Sequence, residues 1–552
     1  MGATHRPRIC REKNAGKSIT AGQMGSSPPR YGGKLRHYEE PTLNKLHQPV
    51  RKSKNESLQI EVNDIVHFIE GAVDKRLAIH EVEEGLWRRV LKVGRESLGM
   101  FFDLHGDGDE GKQVTLADEH TVNRLKEPHN RAYLSVFGEF ELSRIVYGTR
   151  EGQKIEYVPL DTRLQLPQSK FSYLLQDWDQ SITLEMPFNQ VSTTIEKILG
   201  LRQSVHSLER CGQHLAEEVP TFWEAQPTPP AEEEGALLVC TADGKGVPMR
   251  QPAEQACIDG EKQDRGMRPG SKKMALIGSV YTIEAYIRTP DEVLAALFRT
   301  PVTSPSPSSA RPKPCFKHVR AALMRDETGT TAPQVETIFG WMAQEAAERG
   351  RAAQRPLILL MDGQESLWNA GMEYLPEQDF EVIEILDLIH AVSYIWQAAH
   401  LFHPSGSDRA FKLARKQLRR ILSGDVESVI RSLRRMAIRR VLKGKRREDL
   451  EKICNYFRNN AERMAYDEYL AAGYPIASGV IEGACRTVVN DRMERSGMRW
   501  VFDGAHAMLG LRSIRLSGLW DDFIKFRIDQ EVRRLYPNSA ANDDDILLLC
   551  AA

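Results

Sequence analysis

The sequence predicts an α/β fold in which buried strands alternate with amphipathic helices. The clearest strand is the run 357–361, five apolar residues that lead directly into Asp362 and Gly363. An uninterrupted apolar run of this length is typical of a strand buried on both faces, as in a parallel sheet. Soon afterwards, residues 388–401 place Ile389, Val392, Trp396 and Ala399 at helical spacing, which predicts a helix with these four side chains on its inner face.

The composition is that of a large globular protein. The chain has 552 residues, of which 41% are hydrophobic and 27% charged, with a net charge of −1. This length suits about three or four domains. Because the net charge is close to zero, any surface for nucleic acid must be a local patch.

The cysteines and apolar runs predict the compartment. The eight cysteines are dispersed and never form a Cys-x-x-Cys pair, which favours a reducing cytoplasm and argues against a disulfide framework or a zinc ribbon. No apolar run approaches about 18 residues, so we expect no membrane span.

The N-terminal third is predicted to be mainly helical. Residues 1–56, rich in Gly, Pro, Ser, Lys and Arg, predict a disordered basic arm, which either touches DNA phosphates or is a solvated tail. Residues 57–160 predict helices up to about residue 100, and then a β-hairpin around Gly138.

A second helical region covers residues 161–220. The segments 188–200 and 201–218 predict two helices around a glycine turn. This arrangement fits a helix-turn-helix DNA-binding domain, with 203–217 as the reading helix, and fits a plain helical hairpin almost as well. The Pro-, Glu- and Ala-rich segment 220–235 predicts a linker.

Residues 236–403 carry the predicted α/β core. The apolar segment 236–242 leads into Asp243 and Gly244, and the residues up to Met249 suggest the returning strand of a hairpin. The remaining predicted elements are strands 273–283, 357–361 and 380–386 and helices 330–350, 366–374 and 388–401. This succession of strands and helices is the order of a ribonuclease-H-like fold.

Two predicted strands end in Asp-Gly, at Asp243 and at Asp362. Each pair by itself is typical of a turn. In a parallel sheet, however, carboxylates at the ends of neighbouring strands can converge and repel one another, and divalent cations relieve that repulsion. Carboxylate oxygens suit Mg²⁺ or Mn²⁺, and a pair of such ions can promote in-line phosphoryl displacement.

Glu482 is the candidate third acid. It lies near the start of a helix signalled by Pro475 and Ser478. Its neighbours Ile481, Cys485 and Val488 form an inward apolar stripe. The alternative for Glu482 is a surface i,i+4 ion pair with Arg486.

Five motifs in order resemble a known family. They are Asp-Gly-Lys-Gly at 243–246, Met-Asp-Gly-x-x-x-Leu-Trp at 361–368, Leu-Asp-Leu-Ile-His at 386–390, Ser-Gly-Val-Ile-Glu-Gly-Ala-Cys at 478–485 and Arg-x-x-x-Ser-Gly-Met-Arg-Trp at 492–500. Together they resemble DDE transposases, specifically the Kra-type bacterial insertion-sequence family with its Mutator-like relatives. The resemblance covers roughly residues 130–530.

The resemblance implies a catalytic triad of Asp243, Asp362 and Glu482 that holds two Mg²⁺ or Mn²⁺ ions. It implies that metal-activated water cuts double-stranded DNA at the element ends, and that the exposed 3′-hydroxyl attacks target DNA. We expect a homodimer or a higher oligomer on DNA. We also expect the protein to lie in a bacterial cytoplasm, associated with the nucleoid. The sequence leaves two alternatives: a catalytically inactive DNA-binding protein, or a ribonuclease-H-like nuclease without strand transfer.

Asp387 competes with Asp362 for the second place in the triad, because both follow predicted strands. We prefer Asp362, which follows the more apolar strand. Asp387 and His390 instead match an Asp/Cys-x-x-His motif that these families carry beyond their second aspartate. His390 is either a contact to the scissile phosphate or a satisfied core histidine.

A basic helical insertion is predicted at 404–474, followed by core helices at 475–535 and an acidic tail at 536–552. Between Lys412 and Arg447 the insertion holds 14 Lys and Arg residues against Asp425 and Glu427. This excess predicts a DNA contact, although a solvated charged face is the alternative. The candidate DNA-binding residues are Arg415, Lys416, Arg419, Arg420, Arg434, Arg435, Arg439, Arg440, Arg492, Arg495, Arg499 and Trp500.

Overall fold

The computed structural model describes residues 48–150, 152, 154–250, 272–300, 311–323, 333–351, 355–375 and 382–537. The predicted basic arm lies outside the described residues up to residue 47, and most of the predicted acidic tail also lies outside them. Among the described helices, none combines the length and apolarity needed to cross a bilayer.

A long helical hairpin opens the described chain, formed by α1 (Gln48–Asp74) and α2 (Ile79–His105). The helices predicted after residue 57 are therefore confirmed, but residues 48–56 belong to α1 and not to an arm. The hairpin is held by an ion pair of 2.8 Å between Arg89 and Asp64 and by the packing of Phe68 against Gly85.

Short strands follow the hairpin. They are β1 (Gln113–Thr115), β2 (Thr121–Arg124), β3 (His129–Ser135), β4 (Gly138–Arg144) and β5 (Tyr147–Gly148). The antiparallel pair β3–β4 is the predicted hairpin. Gly138, at φ 137°, adopts a backbone conformation that suits glycine, which explains why the chain turns there.

The next region contains five helices. They are α3 (Pro159–Leu164), α4 (Tyr173–Thr183), α5 (Phe188–Leu199), α6 (Val205–Ala216) and α7 (Val219–Glu224). Gly200 ends α5 in the left-handed conformation, and Ser204 caps α6 through the Ser207 N–H, so the two predicted helices and their glycine turn are confirmed.

The segment 220–235 is not an open linker, contrary to prediction. Phe222 and Trp223 in α7 are buried. Glu234 is buried as well and pairs with Arg349 at 2.6 Å and with Arg355 at 3.1 Å. A Pro- and Glu-rich composition suggested solvent exposure, but these long-range partners tie the segment to the core.

A mixed five-stranded sheet forms the centre of the protein. Its strands are β6 (Leu237–Pro248), β7 (Lys272–Ile283), β8 (Cys315–Leu323), β9 (Leu357–Met361) and β10 (Val382–Leu386), in the spatial order β10-β9-β6-β7-β8. β10, β9 and β6 run parallel, whereas β7 and β8 are antiparallel to their neighbours. All five residues of β9 are fully buried, as the apolar run predicted.

Two details of this sheet differ from the prediction. β6 does not turn back after Asp243: it continues to Pro248 and pairs with β7 along its whole length. The prediction also omitted β8 and the helix α8 (Pro290–Phe298). In β8 the charged residues Lys317, His318 and Arg320 interrupt the apolar pattern that would signal a strand.

Helices cover the sheet. They are α9 (Trp341–Arg351), which follows a π-helical turn at Glu336–Gly340, α10 (Glu365–Tyr374) and α11 (Leu388–Phe402). Their apolar faces join β6, β9 and β10 in one large core. Helix formation at all three predicted positions is thereby confirmed. The predicted inner face of α11 is wrong in part, because Ile389 is 37% exposed and Leu388, Ala391 and Ile395 are buried instead.

The predicted helical insertion consists of α12 (Asp408–Leu422), α13 (Val426–Arg439), α14 (Lys445–Asn459) and α15 (Tyr466–Ala471). Their buried residues belong to the same core as β9. The chain then returns to the sheet through α16 (Gly479–Cys485), α17 (Phe502–Leu516) and α18 (Trp520–Leu535).

Candidate active site

Three aspartates lie in one row across the parallel part of the sheet. Asp362 and Asp387 directly follow β9 and β10, and Asp243 lies in β6 just beyond its pairing with β9. The register that aligns them is fixed by the pairs Cys240–Leu359 and Leu386–Met361. This edge is the carboxyl end of the parallel strands, where open α/β sheets place their ligands.

Asp243 is half-buried, inside the extended strand β6. One carboxylate oxygen accepts the Gly244 N–H at 2.7 Å, and the other receives the Cys485 thiol at 3.5 Å. Burial raises the pKa of Asp243, and the negative charge of Asp362 raises it further. The two carboxylates therefore interact unfavourably in the absence of a cation.

Asp362 is also half-buried. Its carboxylate accepts the Gln364 N–H at 2.9 Å, and its carbonyl accepts the Trp368 indole N–H at 2.6 Å. The following Gly363 is required by packing: a Cβ there would lie 2.2 Å from the ring of Tyr456. The expected sharp turn is thus also a point of close approach by α14.

Asp387 has no solvent exposure. Its carboxylate caps α11 by accepting the Ile389 N–H at 3.0 Å. It also accepts the Ser478 N–H at 3.1 Å and the Ser478 hydroxyl at 2.7 Å. Asp387 therefore fastens the start of α16 to the end of β10.

Glu482 projects from α16 into solvent, while Ile481 and Cys485 on the same helix are buried. Burial raises the pKa of Glu482, and the negative charges of Asp387 and Asp243 raise it as well. The Glu482 carboxylate is therefore within the electrostatic reach of Asp387 and Asp243.

The alternative ion pair between Glu482 and Arg486 does not form. Arg486 lies 3.7 Å from Asp491 instead. After α16 the helix widens into a π-helical turn at Arg486–Asn490. The buried Arg512 stabilises this turn by donating to the Val488 carbonyl at 3.1 Å and to the Thr487 carbonyl. Such turns often occur at functional sites.

His390 joins this group from the first turn of α11. One ligand atom from each of Asp387, His390 and Glu482 lies within 4.8 Å of the others, so these three can share one metal ion. The Nε2 atom of His390 is 4.0 Å from the Asp387 carboxylate. We call Asp243, Asp362, Asp387, His390 and Glu482 the acidic cluster.

The donor set of the acidic cluster fits a hard divalent cation. It offers mainly carboxylate oxygens, which suit Mg²⁺ or Mn²⁺. Among the residues that the structure describes, no Lys or Arg forms an ion pair with Asp243, Asp362 or Glu482. A bound cation would therefore supply the charge compensation that the protein itself does not provide.

The basic residues of α12 lie together in a groove. Arg415, Lys416, Arg419 and Arg420 line a space of about 720 Å³ between α12 and α8. Arg419 is paired with Asp291 of α8 at 3.0 Å. The structure thus brings together four of the predicted DNA-binding residues on one surface, which we call the α12 groove.

The predicted basic residues in α13 and directly after it differ in what they contact. Arg434 donates twice to Glu451, at 3.0 and 2.7 Å, and Arg440 donates to the Phe402 carbonyl at 3.0 Å. The contact of Arg434 lies within the insertion, and the contact of Arg440 ties the insertion to α11 of the core. Arg435 and Arg439 are exposed.

Arg492 and Trp500 were predicted to contact DNA, but both are buried, and this corrects the prediction. Arg492 is 1% exposed and donates to the Thr183 carbonyl at 2.7 Å, and burial lowers its pKa to about 10. Trp500 is 7% exposed and donates to the Met493 carbonyl at 3.1 Å. Arg492 thus joins the C-terminal region to the end of α4, whereas the Trp500 ring packs against Phe188 of α5. Arg495 and Arg499, from the same motif, are exposed.

Sequence reasoning missed Ser478 as a partner of Asp387 and Cys485 as a partner of Asp243. Both lie inside the motif that contains Glu482, which was the available signal. Comparison of the chain with protein-family models and with curated proteins finds no match.

Proposed function

We propose that this protein is a metal-dependent DNA strand transferase of the DDE transposase class, acting at the ends of an insertion sequence. One observation carries the proposal: Asp243 and Asp362 follow the paired parts of two adjacent parallel strands, and Glu482 reaches the same edge from a helix far along the chain. The motifs around these residues resemble those of Kra-type transposases.

The topology of the sheet supports a ribonuclease-H-like core. In chain order the five strands are arranged 3-2-1-4-5, with the first three antiparallel and the fourth and fifth parallel to the first. The acidic cluster lies where strands one and four separate. The helices α12–α15 are inserted between the last strand and α16, as the resemblance implies.

In the proposed site, Asp243, Asp362 and Glu482 hold Mg²⁺ or Mn²⁺. When bound, such ions activate water and stabilise the charge of in-line phosphoryl displacement. Asp362 is preferred over Asp387 because, among the described residues, only the Gln364 N–H donates to its carboxylate. The Asp387 carboxylate is already used by three N–H or O–H donors.

The α12 groove is the proposed contact for double-stranded DNA. Lys412 and Arg419 are neutralised by Asp408 and Asp291. Arg415 and Lys416 are exposed, which leaves them available to contact phosphates. Arg435, Arg439, Arg495 and Arg499 are further exposed candidates.

The test uses purified protein and a duplex that carries the genomic segments flanking the coding sequence. We expect Mg²⁺- or Mn²⁺-dependent cleavage, followed by joining of the new 3′-end to a second duplex. Cleavage without joining would favour a nuclease, and binding without cleavage would favour an inactive DNA-binding protein. Either result would reject the proposed strand transferase.

A further inference from the structure

Tyr456 of α14 lies directly beside the loop that follows Asp362. A Cβ added to Gly363 would lie 2.2 Å from the Tyr456 ring and 2.8 Å from its hydroxyl oxygen, so the phenol fills the space that the glycine leaves open. The ring also stacks on Tyr394 of α11, with centroids 3.9 Å apart and an interplanar angle of 25°. These two contacts fix where the Tyr456 hydroxyl lies.

The Tyr456 hydroxyl is a buried donor without an acceptor. Its oxygen is shielded from solvent, and among the residues that the structure describes none forms a hydrogen bond with it. The nearby Gly363 N–H is itself a donor, so it cannot accept the hydroxyl hydrogen. Leaving a buried donor unpaired is unfavourable, and folded proteins seldom keep such a group without a use for it. The hydroxyl is therefore an available donor beside the acidic cluster.

The Tyr456 side chain keeps its proton at neutral pH. Burial raises the pKa of Tyr456 well above its ordinary value of 10, and Tyr394, Asp362 and Asp387 raise it further. The hydroxyl is thus within the electrostatic reach of both carboxylates. Because the O–H group stays neutral, it can donate a hydrogen bond but cannot serve as an anionic metal ligand.

Of these two carboxylates, Asp362 is the one with an oxygen to spare. The Asp387 carboxylate already accepts three N–H or O–H groups. Among the described residues, the Asp362 carboxylate receives only the Gln364 N–H, through one of its two oxygens. The second oxygen of Asp362 is therefore the acceptor that suits the Tyr456 hydroxyl.

We propose that Tyr456 is a positioning residue for the metal site: its hydroxyl donates to the second oxygen of Asp362 and holds that carboxylate in the orientation that binds the cation. Carboxylates that bind metals are commonly fixed by such hydrogen bonds, and losing one weakens metal binding about 10- to 100-fold. The donor comes from the helical insertion, which thereby contributes to the metal site. The assignment rests on the function proposed above and adds a residue that none of the five motifs contains.

The experiment measures Mn²⁺ binding by the full chain without DNA, from the electron paramagnetic resonance signal of the free ion. Tyr456→Phe removes only the hydroxyl and keeps the ring. We expect its dissociation constant for Mn²⁺ to rise about tenfold or more above that of the wild type. Its midpoint of urea unfolding without metal should not fall, because the hydroxyl that it loses has no partner among the described residues.

The matched control is Tyr469→Phe in α15. Tyr469 is 8% exposed and donates to the Glu384 carbonyl at 3.1 Å, so this variant loses a hydrogen bond that the folded chain makes. We expect its unfolding midpoint to fall and its dissociation constant for Mn²⁺ to remain that of the wild type. A purely structural role for Tyr456 would instead give Tyr456→Phe the same pattern as this control.

Three results would overturn the assignment. They are a wild type that binds no Mn²⁺, a Tyr456→Phe variant with the Mn²⁺ affinity of the wild type, and an equal loss of Mn²⁺ affinity in Tyr469→Phe.

The proposed reaction and the role of Tyr456 fail separately. A wild type that binds Mn²⁺ more tightly than Tyr456→Phe, yet neither cuts nor joins DNA, retains the role of Tyr456 and removes the strand transferase. A wild type that cuts and joins DNA, with equal Mn²⁺ affinity in Tyr456→Phe, does the opposite.

Discussion

The Asp387 carboxylate accepts hydrogen bonds from both the backbone N–H and the hydroxyl of Ser478, at 3.1 and 2.7 Å. These two residues are 91 positions apart in sequence. Through this contact the end of β10 determines where α16 begins, and so where Glu482 stands relative to Asp243 and Asp362. In the proposed site we therefore expect Asp387 to position Glu482, although Asp387 also lies close enough to His390 and Glu482 to share a metal ion with them.

Replacing Ser478 should lower the free energy of unfolding and displace Glu482. Ser478→Ala leaves the buried Asp387 with one fewer donor, which we expect to cost about 1–3 kcal/mol. Chemical denaturation measures that decrease in stability. Ser97→Ala is the control, because Ser97 is exposed and donates only to the carbonyl one turn before it. Equal decreases in the stability of the two variants would contradict the proposed role of the Ser478–Asp387 contact.

Local patterns were sufficient to predict the parts of the site that depend on nearby residues. The five apolar residues before Asp362 predicted a buried strand, and all five are buried. The stripe of Ile481, Cys485 and Val488 correctly predicted which face of the helix is inward. That stripe placed Glu482 outside the core and thus able to reach the aspartates.

The missed features depend on interactions between distant segments. Nothing near Asp387 in sequence indicates Ser478, and nothing near Arg492 indicates Phe188 or the Thr183 carbonyl, which bury it. β8 was missed because His318 is polar in sequence yet is accommodated in the fold by a 2.5 Å contact with Glu345 of α9. Local sequence patterns cannot supply such partners.

Gly363 should tolerate no side chain. In Gly363→Ala the new methyl group would overlap the ring of Tyr456, so α14 or the Asp362 loop must move. We expect a decrease in stability of about 1–3 kcal/mol. Gly479→Ala is the matched control at the start of α16, where a Cβ meets nothing within 4 Å. If both variants melt at the wild-type temperature, the close approach of Tyr456 is wrong.

Asp179 should make the helical region less stable as pH rises. Asp179 is 2% exposed, and one of its carboxylate oxygens accepts a hydrogen bond from the Gln203 side chain at 2.7 Å. Burial raises the pKa of Asp179 from 3.8 to about 7. Because the folded state disfavours the charged form, stability falls as pH increases from about 4 through 7. The Asp179→Asn variant removes this charge and should therefore be more stable near neutral pH.

The expected increase in stability for Asp179→Asn near pH 8 is on the order of 3–4 kcal/mol. It should shrink to about half or less near pH 5, where much of the penalty disappears from the wild type. Urea unfolding at both pH values measures the difference. An increase that does not change with pH would contradict the raised pKa.

The α12 groove should set the salt dependence of DNA binding. The Arg415→Ala/Lys416→Ala variant removes two exposed charges, and we expect weaker binding. The slope of log affinity against log salt should become shallower by about 0.9 for each phosphate that the variant no longer neutralises. Arg434→Ala is the control, since Arg434 is engaged with Glu451. Fluorescence anisotropy over a salt series measures both slopes; a shallower slope for Arg434→Ala than for the groove variant would contradict the assignment.

The most direct test of the central claim compares single-turnover cleavage of element-end DNA by the wild type, Asp362→Asn and Asp387→Asn, with Mg²⁺ or Mn²⁺ and with EDTA. We predict that the wild type cuts only with metal. Cleavage by Asp362→Asn should fall by a factor of at least about 10³, as expected for the loss of a ligand in a two-metal site. Asp387→Asn should be destabilised but should keep measurable cleavage. Wild-type rates from Asp362→Asn would contradict the proposed triad. Complete loss of cleavage confined to Asp387→Asn would make Asp387 the second metal ligand instead.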